Sequence, residues 1–386
     1  MTGTTHTPHS RRNFLTMTTL GAMIPGFVAE ARGKDVPTSV TERPILHLTD
    51  LFHPHGDPDD HFDLATVFAL QLRNRVDLRG ISVDYPPAHR TGDPAVAAIA
   101  QMNRLCATAI PIATGSSVHF TAPDDVTAAD EARKLPLRDT GAIRFIHETL
   151  RRSNVPVAIS CVGAATDIAW AAAMEPELFR EKCAGVYLNA GSAGPDPDHP
   201  EMLEFNVRLN PAAYAAMFRL PCPVYWYPCW HQVELRQSGE FGTFWWLAHR
   251  DAFDGVPDEI CHCFQYMFDR SDDPRWLMAI ESESDTARWE QILTDRRGMW
   301  STASLLHIAG LTVLRNGEIV PEDTVRAPEE LLFRMEPVHV TCDVDGRTTW
   351  RITEKIGHRW IFHCLAPQRY PEAMTRAMSE LLRTFR

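Results

Sequence analysis

Ile45-Leu46-His47-Leu48-Thr49-Asp50 runs into Leu51-Phe52-His53-Pro54-His55-Gly56-Asp57-Pro58-Asp59-Asp60-His61-Phe62-Asp63, and this stretch decides the fold. Its first residues form a short apolar run that reads as a strand. From Asp59 to Leu72 the apolar residues Phe62, Ala65, Val67, Phe68 and Leu72 recur with a helical period. Working outward, strands are expected at 78–83, 109–113, 156–162, 185–189 and 223–227. Helices are expected at 95–106, 140–152, 166–173 and 211–218. Strands alternating with helices imply an α/β fold: a mainly parallel sheet flanked by helices on both faces. In such sheets ligands sit at the carboxyl ends of the strands, so loops just after strands are where function is sought.

Beyond this body the pattern changes twice. The stretch 232–314 reads as helical and aromatic-rich, with Phe241, Phe244, Trp245, Trp246, Phe264, Tyr266, Trp276, Trp289 and Trp300. Tryptophans at that density read as core or lid packing. From 338 to 363 the alternation has a period of two, with Asp345-Gly346 as a hairpin turn, and a helix over 371–385 closes the chain. The expected organisation is an N-terminal signal over 1–31, an α/β domain over 32–315 and a small C-terminal β/α appendage over 316–386.

The 386 residues carry 38 Lys and Arg against 50 Asp and Glu, a net charge of −12. An acidic chain of globular composition argues against general electrostatic binding of nucleic acid. No apolar run reaches the roughly 18 to 20 residues of a membrane-spanning helix. The mature protein is therefore expected to bind neither nucleic acid nor membrane, and its partner is expected to be a small molecule; the composition leaves room for a homo-oligomer. At the N-terminus, Ser10-Arg11-Arg12-Asn13-Phe14-Leu15 precedes an apolar segment and Ala29-Glu30-Ala31. A basic pair, an apolar segment and a small-x-small site make an export signal of the twin-arginine type, with a periplasmic or extracellular destination. Nine cysteines are too odd a number, spread too widely, for a disulfide scaffold. Cys261-His262-Cys263 lacks the spacing of a zinc knuckle and reads as core packing.

Five carboxylates fall within the 14 residues from Asp50 to Asp63. Helix capping accounts for part of this: Asp57 can cap, Pro58 suits the first turn, and Asp59 and Asp60 favour the positive end of the helix dipole. It does not account for Asp50 at a strand terminus. Carboxylates this dense repel one another unless a cation or protons intervene, and hard oxygen donors suit Ca²⁺ or Mg²⁺.

The segment resembles the signature of the inosine–uridine nucleoside hydrolase family, Asp-Thr-Asp-x-Gly-x-Asp-Asp after an N-terminal strand. Thr49-Asp50 matches its Thr-Asp and Asp59-Asp60 its closing acid pair. Leu48 replaces its first aspartate, and residues 51–55 lengthen the loop. Downstream, Gly80-Ile81-Ser82-Val83 resembles the second strand, with Asp84-Tyr85 where a Gly-Asn pair is usual. Gly163-Ala164-Ala165-Thr166-Asp167-Ile168-Ala169 resembles a helix start of the family. Glu204-Phe205-Asn206 and Asn210-Pro211-Ala212-Ala213 resemble its Glu-Phe-Asn and Asp-Pro-x-Ala elements.

The resemblance implies a hydrolase that cleaves an N-ribosyl or related glycosyl bond through an oxocarbenium-like sugar, with calcium gripping the sugar diol and polarising water. It assigns Asp50, Asp60 and the Thr166 carbonyl to the metal, and Asp50 also as the base toward water. Asp59, Glu204 and Asn206 then bind sugar hydroxyls, and Asp59 joins Asp50 in the catalytic pair. A further calcium-binding aspartate of the family has its counterpart here at Gly298-Met299-Trp300-Ser301-Thr302-Ala303, where hydroxyls stand instead and Asp295 lies just upstream. His231, His262 and His307 are the candidates for a leaving-group acid. Two alternatives remain open: a non-catalytic glycan-binding protein on the same fold, and a metal-independent glycoside hydrolase using two carboxylates.

Overall fold

The strand at the start of the signature stretch lies inside the sheet, third from one edge. In the computed structural model, which describes residues 42–53, 58–85, 93–122, 124–195, 202–232, 238–271, 273–281 and 285–385, β1 (Arg43–Thr49) is buried at every position after its first. The proposed signal, residues 1–31, lies outside the described residues. Ile45 joins one core cluster, while Leu46 and Leu48 join the other, so alternate side chains of one strand serve both faces of the sheet. Only a strand covered by helices on both sides reads as such a continuous apolar run.

Around β1 the expected alternation is realised. α1 (Asp59–Leu72) leads to β2 (Val76–Val83), α2 (Val96–Leu105) to β3 (Ile112–Thr114), α3 (Gly141–Arg152) to β4 (Val157–Cys161), and α4 (Thr166–Met174) to β5 (Cys183–Asn189). α5 (Pro211–Met217) precedes β6 (Val224–Tyr227). β1 pairs in parallel with β2 on one side and β4 on the other; β4–β5 and β5–β6 are also parallel.

Two departures come later in the chain. Inside the stretch expected to be helical, β7 (Trp245–Ala248) and β8 (Arg296–Met299) pair antiparallel, Trp246 opposite Gly298. Trp245 points into the core and Trp246 is exposed, the alternation of a strand. The C-terminal strands are present as expected: β9 (Phe333–Cys342) pairs antiparallel with both β10 (Thr348–Ile352) and β11 (Arg359–Cys364). They continue the main sheet, because β11 runs parallel to β6. The nine-stranded order is β10-β9-β11-β6-β5-β4-β1-β2-β3. The last helix, Tyr370–Leu382, buries Met374, Ala377, Met378 and Leu381 in the same cluster as Phe62 and Leu70 of α1. Among the described residues no helix is long and apolar enough to cross a membrane.

Candidate functional site

At the carboxyl ends of these strands lies a cavity of about 490 Å³. Asp50 follows β1, Asp59 and Asp60 open α1, and Glu204, Phe205 and Asn206 come from the crossing between β5 and β6; all line it. Five of the six side chains singled out in the sequence thus line the same cavity. Thr166 is not among the lining residues: it is the first residue of α4, and its hydroxyl accepts a hydrogen bond from Asn210 Nδ2 at 3.1 Å.

The acids are held out of water. Asp50 and Asp60 are each 5% exposed, and the Thr49 hydroxyl donates to Asp60 Oδ1 at 3.3 Å. α1 starts at Asp59 with Pro58 in the cap position and no side-chain cap bond, and Asp57 lies outside the described residues. Burial, followed by repulsion from Asp60, Asp63 and Asp50, raises the Asp59 pKa well above the ordinary carboxylate range. Opposing this, Arg297 of β8 places its guanidinium 3.2 Å from Asp59 Oδ1. Burial lowers the pKa of Arg297 itself to about 10.

Two further acids back this wall. Asp63, one turn along α1, is 1% exposed and its oxygens make no close hydrogen bond among the described residues. Burial raises its pKa to about 8, partly countered by the neighbouring Ser301 hydroxyl. Asp84, at the end of β2, accepts from the Ala164 backbone N–H at 2.6 Å. Burial and then Asp50 and Asp167 hold its pKa well up. Gly163 makes this packing feasible, since a Cβ there would lie 2.4 Å from Asp84 Oδ2 and 2.7 Å from the Asp50 nitrogen.

Glu204 and Asn206 are tied to backbone. Glu204 caps the short helix Phe205–Leu209, accepting from the N–H groups of Asn206 and Val207, and also from Gly191 at 2.8 Å. Burial raises its pKa against those three donors. Asn206 Nδ2 donates to Val162 O at 3.1 Å and Asn189 O at 3.0 Å, which leaves Oδ1 as the atom that can accept from a ligand hydroxyl.

Aromatic and basic side chains complete the lining, and of those that follow only Trp300 lies in a segment to which the sequence pointed. Trp230, Phe244, Trp246 and Trp300 line the cavity with Arg208, Arg296 and Arg297. The aromatic density was legible; its division into core (Trp245) and cavity wall (Trp246, Trp300) required the β7–β8 pairing. Gly298, Trp300 and Ser301, the counterpart of the family's second metal-binding segment, do reach the cavity. Asp295 is not among its lining residues, nor are His231, His262 and His307. His307 packs against Tyr187, Tyr225 and Tyr227, and burial lowers its pKa to about 4.

The donor chemistry fits a hard dication. Buried carboxylates that repel one another are relieved by a shared cation, and calcium accepts carboxylate, carbonyl and hydroxyl oxygens together. No group of three or more His, Cys, Asp or Glu is arranged around a common metal position among the described residues. Asp50 and Asp60 would therefore need carbonyl or hydroxyl oxygens to complete a shell.

Comparison with known proteins agrees with this architecture. The family model described as inosine-uridine preferring nucleoside hydrolase matches residues 56–287. No curated protein sequence matches. Among solved structures, an inosine-guanosine nucleoside hydrolase superposes with a TM-score of 0.51 at 14% identity, over 88% of this chain and 99% of its own. The effector protein XOO4466 gives 0.52 at 17%, over 89% and 94%. The type III effector protein XopQ, solved with adenosine diphosphate ribose, gives 0.50 at 15%, over 90% and 95%. At these identities the likeness is one of fold.

Proposed function

The chain belongs to the inosine-uridine preferring nucleoside hydrolase family, and from that premise we propose that its acidic cavity hydrolyses the N-ribosyl bond of a nucleoside or a closely related glycosyl bond. The observation that carries this reading is the convergence of Asp50, Asp59, Asp60, Glu204 and Asn206, from three separate parts of the chain, on one cavity at the strand termini.

Breaking such a bond leaves positive charge on the sugar and negative charge on the departing heterocycle. Asp50 is the base toward the attacking water, and its carboxylate together with that of Asp60 stabilises the cationic sugar. Asp59, oriented by Arg297, hydrogen-bonds a sugar hydroxyl. Asn206 Oδ1 accepts from another, and Glu204 fixes the turn that presents it. Trp246 and Trp300 supply faces on which a heterocycle stacks, and the Arg297 N–H groups stabilise its charge as it leaves. Asp50 and Asp60 would hold a calcium ion, with carbonyl or hydroxyl oxygens completing its shell, and the ion would supply acidification of the attacking water.

Residues 1–31 are proposed to direct export to the periplasm or beyond, with cleavage after Ala31; the Arg11-Arg12 pair and Ala29-Glu30-Ala31 support this. Protein recovered from that compartment should begin at Arg32. A glycan-binding role without turnover is the second reading, favoured by the backbone hydrogen bonds that engage Glu204 and Asn206.

The deciding experiment incubates the protein with a panel of nucleosides in ¹⁸O-water and analyses the sugar by mass spectrometry. Hydrolysis delivers labelled free ribose and unlabelled base, and a chelator slows it. Saturable binding with no free sugar from any substrate favours the second reading.

A further inference from the structure

Asn189 is a polar side chain in a strand that is otherwise apolar at this depth. It ends β5, whose Val186 and Leu188 pack into the core, and it is fully buried without lining the cavity. A buried amide is costly unless its oxygen and its nitrogen both find partners, and here both do. Its Oδ1 accepts from the Ser304 hydroxyl. Its Nδ2 donates to Tyr227 O, directly opposite on β6, at 3.5 Å. Ser304 sits in the first turn of the helix Thr302–Ile308, and its Oγ stands 2.8 Å from Ser301 O. The amide therefore ties the end of β5 to two segments that reach the cavity, one carrying Trp300 and Ser301 and the other Cys229 and Trp230.

A sugar contact depends on where this strand end lies. The Asn189 carbonyl and Val162 O, at the ends of neighbouring strands, both accept from Asn206 Nδ2, at 3.0 and 3.1 Å. An amide nitrogen held by two carbonyls must be the donor end, so the oxygen of Asn206 is the end left for the ligand. Two acceptors fix the plane of that amide where one would let it swing.

We propose that Asn189 is a positioning residue for sugar recognition: its side chain fixes the end of β5, so that its carbonyl holds the Asn206 amide with Oδ1 presented to a ribose hydroxyl. This assignment rests on the ribosyl-hydrolase reading and locates the source of its selectivity for the sugar.

The test compares kcat/KM for inosine, 2′-deoxyinosine and 3′-deoxyinosine in wild type, Asn206→Ala, Asn189→Leu and Ser304→Ala, with folding of each checked by thermal unfolding. Wild type is expected to disfavour the analogue that lacks the hydroxyl bound by Asn206, and Asn206→Ala to erase that difference. Asn189→Leu should narrow it about three- to tenfold, the worth of one neutral hydrogen bond. Ser304→Ala, which removes only the donor to Asn189 Oδ1, should narrow it in the same direction and serves if the leucine variant does not fold. An unchanged difference in folded Asn189→Leu, or in Ser304→Ala in its stead, overturns the proposal. So does an equal fall on all three substrates, the result of a merely structural bond, and so does a wild type indifferent to the missing hydroxyls or a difference that survives Asn206→Ala. All of these leave the ribosyl reading standing. Release of sugar from none of the three by wild type removes that reading, and this proposal with it.

Discussion

Asp63 shows how much of the site's character comes from burial. With its pKa raised from an ordinary 3.8 to about 8, the folded protein keeps a proton that the unfolded chain has already lost. Raising the pH from about 4 to about 8 therefore favours unfolding, because the unfolded state binds fewer protons through that window. In the presence of a chelator, Asp63→Asn should flatten the fall in stability over this range and be more stable than wild type at pH 8; urea unfolding at pH 5.5 and pH 8 measures both. At this scale the acids were legible in the sequence, since Asp50, Asp59 and Asp60 sit where a strand ends and a helix begins. Arg297 was not: it meets Asp59 from 238 positions away, and no local pattern carries that contact.

Among the elements, the ends of β1, β2 and β4 are drawn together by backbone. The Asp84 N–H donates to Thr49 O at 2.9 Å and the Val162 N–H to Leu48 O at 2.9 Å. Gly163 then passes against Asp50 with no room for a methyl group. Gly163→Ala forces Asp50 or Asp84 to move. It should cost about 1–3 kcal/mol in a urea melt and reduce turnover more than the stability loss explains. The strands and helices of the α/β body were readable because each carries its own period. The β7–β8 pair was not, because Trp245-Trp246-Leu247-Ala248 is too short for a strand period to stand out among neighbouring helices, and its partner follows only at Arg296. That pairing is what brings Trp246, Arg296 and Arg297 to the cavity.

On the scale of the whole molecule, the sheet separates two cores and exposes one edge of chemistry where its central strands end. The parallel body followed from alternation alone, whereas the attachment of the C-terminal strands depended on β11 joining β6, a long-range pairing that a period of two leaves open. The cavity brings acids, arginines and indoles together, a mixed lining for a ligand with a sugar and an aromatic remainder. The kcat/KM for release of free ribose by Asp50→Asn beside wild type, with folding of both confirmed by thermal unfolding, tests the role of this cavity most directly. Loss of the positioned base should lower it about 10²- to 10⁴-fold at an unchanged fold. Equal turnover by the two proteins would contradict the assignment of this cavity as the place where the bond is cut.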